Sequence, residues 1–411
     1  MAVTNTADVL AIDGGTPVRT RPWPQWPVFD ETEEQAILQV LRSGKWWSVE
    51  GTKVREFEQA FARFQDAQFA VCVTNGTAAL EVALRAAHIG CGDEVIVPPY
   101  TFIATATAVL AVGATPVFVD VEEESLNIDP AKIEEAITPR TRAIIPVHIA
   151  GCPANMDGVL EVARKHNLLV IEDAAQAHAA EWKGTKVGAI GDMGCFSFQA
   201  SKNLNAGEGG AVLTNNPHWA DQVWSVHNVG RIRGGRWYEH HVLGSNFRMT
   251  EFQAAILLCQ LQRLPEQTER RTRNAQKLTE LLSQIPGIRP PCPDPRVTRH
   301  AYHLYIFRYN KQAFGGRSRE EFLRALNAEG IPCSAGYVPL YKERVFINRP
   351  ASNDLCQMSR LKDYSQVRCP VCERACYEEA VWLFQNVLLG NAEDMADIAT
   401  AIAKVQRAFT R

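Results

Sequence analysis

Between residues 69 and 171 the chain repeats one pattern, a short run rich in Val, Ile or Phe followed by a stretch with helical spacing. The apolar runs are Phe69–Val73, Glu94–Val97, 115–119, 143–147 and 168–171, and the helical stretches between them are 77–89, 102–111, 130–136 and 155–165. Runs this short and this apolar read as strands buried on both faces. Strand, helix, strand in series builds a mostly parallel sheet covered by helices on both sides. At 411 residues the chain has room for more than this one unit.

Later segments change character. Residues 249–264 and 266–285 read as two long amphipathic helices, and the Pro-rich stretch 286–295 then interrupts the pattern. Beyond it, a strand at 302–309 and helices at 318–329 and Ala392–Phe409 suggest a smaller α+β domain. The expected organisation is an arm and short helix over 1–45, a large domain over 46–285 and a small C-terminal domain over 286–411. The arm carries Arg21-Pro22-Trp23-Pro24-Gln25-Trp26-Pro27 and leads into a helix at 31–42.

Composition narrows the partners. Apolar residues at 46% and charged residues at 22% are ordinary for a globular protein and exclude disorder, collagen and coiled coil. With 43 Lys plus Arg against 46 Asp plus Glu, the net charge is −3 and no block of like charge stands out. Nucleic acid and membrane surfaces, which call for a basic face, are therefore not expected partners. The first 15 residues lack the basic-then-apolar pattern of a secretory leader, and the longest apolar stretch, 103–114, is short of the ~18 residues of a membrane span. A cytoplasmic location is the expectation. Eleven scattered cysteines, an odd number, do not look like a disulfide framework, and most are expected to be reduced and buried. Cys369 and Cys372 have C-x-x-C spacing, but neither a second pair nor a nearby histidine completes a zinc site, so no metal is expected.

Ligands of open α/β sheets sit beyond the carboxyl ends of the strands, which directs attention to three segments. After the first strand, Thr74-Asn75-Gly76-Thr77 leads into a helix; its free N–H groups suit a phosphate, although a capped turn would look the same. After the run at 168–171 comes Glu172-Asp173-Ala174-Ala175-Gln176-Ala177-His178, where a carboxylate at a strand end is either a helix cap or the partner of a cation held in a cleft. The third is Phe196-Ser197-Phe198-Gln199-Ala200-Ser201-Lys202, followed by the glycines Gly207, Gly209 and Gly210. Lys202 is either a solvated surface charge or a Schiff-base lysine, with glycines that let backbone pass close beneath a flat ligand.

A phosphate cradle, a carboxylate and a lysine, in that order on one sheet, are what pyridoxal phosphate needs. The chain resembles the DegT/StrS sugar aminotransferases among the fold-type-I pyridoxal-phosphate enzymes. The resemblance runs from about Gly14 to the C-terminus, on Gly92-Asp93-Glu94-Val95-Ile96, Thr101-Phe102-Ile103-Ala104-Thr105, Pro146-Val147-His148, Glu172-Asp173-Ala174-Ala175-Gln176, Gly207-Glu208-Gly209-Gly210 and Gly244-Ser245-Asn246-Phe247-Arg248-Met249. It implies an α/β fold with an aspartate-aminotransferase-like large domain and a smaller C-terminal α+β domain. It also implies an amino group moved from L-glutamate or L-glutamine to a nucleotide-linked keto-sugar or a keto-cyclitol, with ping-pong kinetics.

Position by position, the resemblance makes Lys202 the Schiff-base lysine and proton carrier, and Asp173 the partner of the pyridine nitrogen. Gln176 would reach the ring hydroxyl, Gly76, Thr77 and Ser197 would bind the phosphate, and Phe102 would stack on the ring, with Tyr100 as its rival. Asn246 would reach the phosphate of a neighbouring subunit, which implies a homodimer with shared sites. His178 reads as structural, and Trp46, Trp47, His227 and Arg248 as pocket wall or substrate contacts. Gln199 stands where many members acting on nucleotide-linked sugars have His, and points toward aminocyclitol or aminohydroxybenzoate enzymes; Asn246-Phe247-Arg248-Met249 points back to nucleotide sugars. Ala179 stands where Gly is usual. A related sugar dehydratase has His in place of the lysine, so Lys202 argues against that activity. A non-enzymatic cofactor-binding regulator would need a DNA-binding module that the chain has no room for. A dinucleotide enzyme would show G-x-G-x-x-G after its first strand, and none is present.

Overall fold

The computed structural model describes residues 9–347, 356 and 362–411. Nine strands precede the long central helix: β1 (Phe69–Val73), β2 (Glu94–Val97), β3 (Thr115–Phe118), β4 (Thr141–Ile144), β5 (Leu169–Asp173), β6 (Glu181–Trp182), β7 (Thr185–Lys186), β8 (Met193–Ser197) and β9 (Gly210–Thr214). Seven of them form one sheet in the order β1-β9-β8-β5-β4-β2-β3. The pairs β2/β3, β2/β4, β4/β5 and β5/β8 are parallel, and β9 alone runs against its neighbours β8 and β1. The expected mostly parallel α/β sheet is thus the observed one.

Side-chain alternation divides the core between the two faces of the sheet. Val71, Val73, Val95 and Val97 pack with helices Gly76–Ala86 and Ala104–Ala111 on one face. Cys72, Ile96, Ile144 and Val170 pack on the other with helices Lys53–Phe64 and Met156–His166 and the first half of helix Glu251–Leu282. A second sheet follows, built from β10 (Ile288–Arg289), β12 (Leu304–Tyr309), β13 (Cys333–Ser334) and β14 (Ala380–Phe384), all antiparallel in the order β10-β12-β14-β13; β11 (Val297–Arg299) instead joins β6 and β7 in a small ribbon. Helices Arg319–Ala328 and Ala392–Phe409 cover this sheet, and the second half of the long helix packs there through Ala275, Leu278 and Leu282.

Two expectations need correction. The two helices read at 249–264 and 266–285 are one helix, Glu251–Leu282, that runs through Pro265. Proline removes the backbone bond to the Leu261 carbonyl, but both halves of the helix are anchored in separate cores, which holds it continuous. The helix expected from residue 102 begins at Ala104, leaving Phe102 outside it. The cysteines follow the expectation that most are reduced and buried: nine are free, six of these are buried, and Cys91 and Cys356 form a disulfide.

Candidate active site

The carboxyl ends of β1, β5 and β8 bring three of the chemistry-bearing segments together. Asn75 caps the helix that follows β1: its side-chain oxygen accepts from the Ala78 amide at 2.8 Å. Gly76 opens that helix, and a Cβ on it would lie 2.7 Å from the Ser197 Cβ at the end of β8. The start of β9 closes the other side, where a Cβ on Gly210 would lie 2.4 Å from the Asn75 carbonyl oxygen. Gly76 and Ser197 therefore touch across a helix N-terminus, a cradle suited to an anion. Thr77 follows within the first turn of the helix.

Asp173 ends β5 and is buried. One carboxylate oxygen accepts from the Thr105 hydroxyl at 2.7 Å, and the other from the Ala175 amide at 3.2 Å. Thr105 is itself within 2.9 Å of the Thr101 hydroxyl. Burial raises the Asp173 pKa, opposed by these bonds and by the positive charge of Lys202. A buried carboxylate biased toward its neutral form is well suited to a protonated ring nitrogen, which would return it to the ionised state.

Its neighbour Glu172 has a separate task. Strand alternation turns Glu172 to the opposite face, where it is fully buried, pairs with His148 Nε2 at 2.9 Å and accepts from the amides of Gly188, Ile190 and Gly191. Burial opposes its charge, but these partners prevail and hold it below the usual carboxylate range. The Ala154 amide donates to His148 Nδ1, which leaves Nε2 as the nitrogen that donates to Glu172.

Lys202 lies on the turn after β8, half-buried, its amide donating to the Gln199 carbonyl. Burial pulls its ammonium down to a pKa of about 8, with Asp173 acting in the opposite sense. Gln199 keeps its side chain within this turn, its oxygen accepting from the Ser201 amide and hydroxyl. The arm reaches the same turn, where the Trp26 indole donates to the Ala200 carbonyl at 2.9 Å.

Phe102, 58% exposed, and Tyr100, fully buried, part company. The Tyr100 hydroxyl accepts from the Trp382 indole at 2.8 Å, which makes it a core residue and leaves Phe102 as the aromatic ring open to a ligand. The Gln176 side chain accepts from the Ala150 amide at 2.7 Å and donates to the Tyr337 hydroxyl at 2.8 Å. His178 is packed among Phe61, Phe196 and Phe198, and burial pushes it down to about 3, so it is a neutral core residue.

Asn246 is exposed, on a segment that runs beside the cradle: the Thr74 amide donates to the Phe247 carbonyl at 2.8 Å. Arg248 donates to the Asn228 side chain at 2.9 Å and lies 5.6 Å from the Trp47 ring, which meets Trp237 edge-on. Trp46 packs on Phe252, and His227 is buried and pushed down to about 4. Thr105 and Tyr337 are the contacts of the site that strand-end reasoning does not single out. Thr105 lies inside the quoted Thr101–Thr105 motif, whereas nothing around Gly336-Tyr337 marks it in the sequence.

The DegT/DnrJ/EryC1/StrS aminotransferase family model matches residues 27–402. The L-glutamine:2-deoxy-scyllo-inosose aminotransferase of Streptoalloteichus tenebrarius is 40% identical, over 97% of both chains. The 3-amino-5-hydroxybenzoate synthase of Amycolatopsis mediterranei is 36% identical, over 93% of this chain and 96% of that protein. A crystal structure of 3-amino-5-hydroxybenzoic acid synthase superposes with a TM-score of 0.86 at 34% identity, covering 94% of this chain and 99% of that one. With a profile spanning nearly its whole length and relatives this similar end to end, the chain belongs to the DegT/DnrJ/EryC1/StrS aminotransferase family.

Proposed function

We propose that this aminotransferase binds pyridoxal 5′-phosphate and moves the amino group of L-glutamine to a keto-cyclitol. The observation that carries the cofactor assignment is the meeting of Gly76 and Ser197, Asp173 and Lys202 at the carboxyl ends of β1, β5 and β8. When bound, the cofactor supplies an aldehyde that accepts and returns an amine, and a ring that draws electrons from the reacting carbon.

The residues then divide the work. The Gly76 and Thr77 amides, the Thr77 hydroxyl and Ser197 bind the phosphate, with the helix N-terminus adding its partial positive charge. Phe102 covers one face of the ring, and Gln176 donates to its phenolic oxygen. Asp173 keeps the ring nitrogen protonated. Lys202 Nζ would be the amine that meets the cofactor's aldehyde and would carry a proton to and from the substrate carbon, a task suited to an amine whose pKa is lowered to about 8. A second copy of the chain supplies Asn246, so the working unit is a homodimer with shared sites. We infer a cytoplasmic location from a chain in which nine of the eleven cysteines are free and only Cys91 and Cys356 are paired.

The acceptor is argued from Gln199 and from the relatives. A glutamine turned back onto Ser201 offers no imidazole at this position of the turn that carries Lys202. The relative at 40% identity is named for 2-deoxy-scyllo-inosose and glutamine. The similarity to 3-amino-5-hydroxybenzoate synthases favours a second reading, in which a cyclic ketone that already carries an amino group loses water to give an aromatic amine. Both are separated by incubating the cofactor-loaded protein with L-glutamine and 2-deoxy-scyllo-inosose, and in parallel with a nucleotide-linked keto-sugar, and identifying the amine by mass spectrometry. The expected product is the aminocyclitol. Amination of the nucleotide sugar alone, or an aromatic product from a dehydratable cyclic ketone, would overturn the assignment.

A further inference from the structure

Gln176 is held at both ends. A backbone N–H can only donate, so the Ala150 amide at 2.7 Å fixes the carboxamide oxygen at that end and the NH2 group at the other. The NH2 group spends one hydrogen on the Tyr337 hydroxyl at 2.8 Å. Among the described residues its second hydrogen has no protein acceptor within hydrogen-bonding distance.

Tyr337 is built into its place. It follows β13 and meets Trp382 of β14 edge-on at 4.5 Å between ring centroids, and Tyr100 at 5.5 Å. The preceding residue, Gly336, has φ of +81°, and a Cβ there would lie 2.3 Å from the Trp382 ring, so the turn requires glycine for both conformation and space. Arg319 donates to the carbonyls of Ala335, Ala375 and Ala380, which ties the same turn to the start of β14. The hydroxyl is thus delivered to Gln176 by the second sheet, from a position 161 residues away in sequence.

We propose that Tyr337 is a positioning residue that fixes the Gln176 carboxamide so that its free N–H is presented to the phenolic oxygen of bound pyridoxal phosphate. The inference rests on the cofactor assignment made above. Without the hydroxyl, the carboxamide keeps its Ala150 bond but gains freedom about its last torsion, and the bond to the ring weakens. Tyr337→Phe retains the aromatic packing on Tyr100 and Trp382, so the fold is preserved.

The test compares wild type, Tyr337→Phe, Gln176→Ala and the double variant by cofactor dissociation constant and by the position of the visible absorption band of the loaded protein. Tyr337→Phe is expected to weaken cofactor binding about 3- to 10-fold, the worth of one hydrogen bond, and to move the band in the same direction as Gln176→Ala. The double variant is expected to match Gln176→Ala alone, because Tyr337 acts through that side chain. A wild-type band and affinity in Tyr337→Phe, or losses that simply add in the double variant, would overturn the proposal. A wild-type protein that takes up no cofactor and shows no band would instead overturn the assignment on which it rests.

Discussion

Lys202 and Asp173 carry opposite charges, yet burial pushes each toward its neutral form. Each charge also favours the other, so the pair is poised rather than locked. Only the neutral amine attacks an aldehyde. The rate of cofactor capture by the cofactor-free protein is therefore expected to rise about tenfold per pH unit below the Lys202 pKa of about 8 and to level off above it. Stopped-flow absorbance measures this directly. A rate still climbing toward pH ~10.4, the value of a solvated lysine, would show that Lys202 feels no burial. Asp173 could be found from sequence because it follows an apolar run at a strand end, and Lys202 because it stands between small polar residues and a glycine-rich loop. Tyr337 could not, because it reaches the site through packing on Trp382 and Tyr100, which no local pattern encodes.

Strands β1 and β2 have the bounds their apolar runs suggest, whereas β8 and β9 went unread. Met193–Ser197 and Gly210–Thr214 are short, interrupted or opened by glycine, and flanked by the glycine-rich loop that carries the chemistry. Their glycines are there for contact. A Cβ on Gly194 would lie 2.1 Å from the Gly188 carbonyl oxygen, where the chain crosses over β8. Gly194→Ala is expected to destabilise the protein by about 3 kcal/mol or more, since backbone must shift to relieve the clash, and denaturant unfolding will measure it. A loss under about 0.5 kcal/mol, typical of a surface change, would contradict this packing. Pro265 shows the opposite error: a residue that locally signals a break is overridden because the helix on either side of it is anchored in a different core.

At the scale of the whole molecule, the seven-stranded sheet supplies the cradle, the carboxylate and the lysine, and the second sheet supplies Tyr337. The proposed dimer completes the site. Lys202→Ala and Asn246→Ala subunits are each expected to be impaired alone, and mixing them with subunit exchange should restore activity to about one quarter of wild type. Half the dimers are then mixed, and one of the two sites in each combines an intact Lys202 with an intact Asn246. Activity that does not recover on mixing would place Asn246 outside the partner's site.

The central claim is that Lys202, facing Asp173, carries the amino transfer. The most direct measurement is the visible absorption of the pyridoxal-phosphate-loaded protein before and after L-glutamine, with Lys202→Ala alongside. The expected result is a band in the wild type that bleaches with the donor and returns with the keto-cyclitol, and no such cycle in Lys202→Ala. A wild-type band that glutamine leaves unchanged, or a Lys202→Ala protein that still cycles, would contradict the claim.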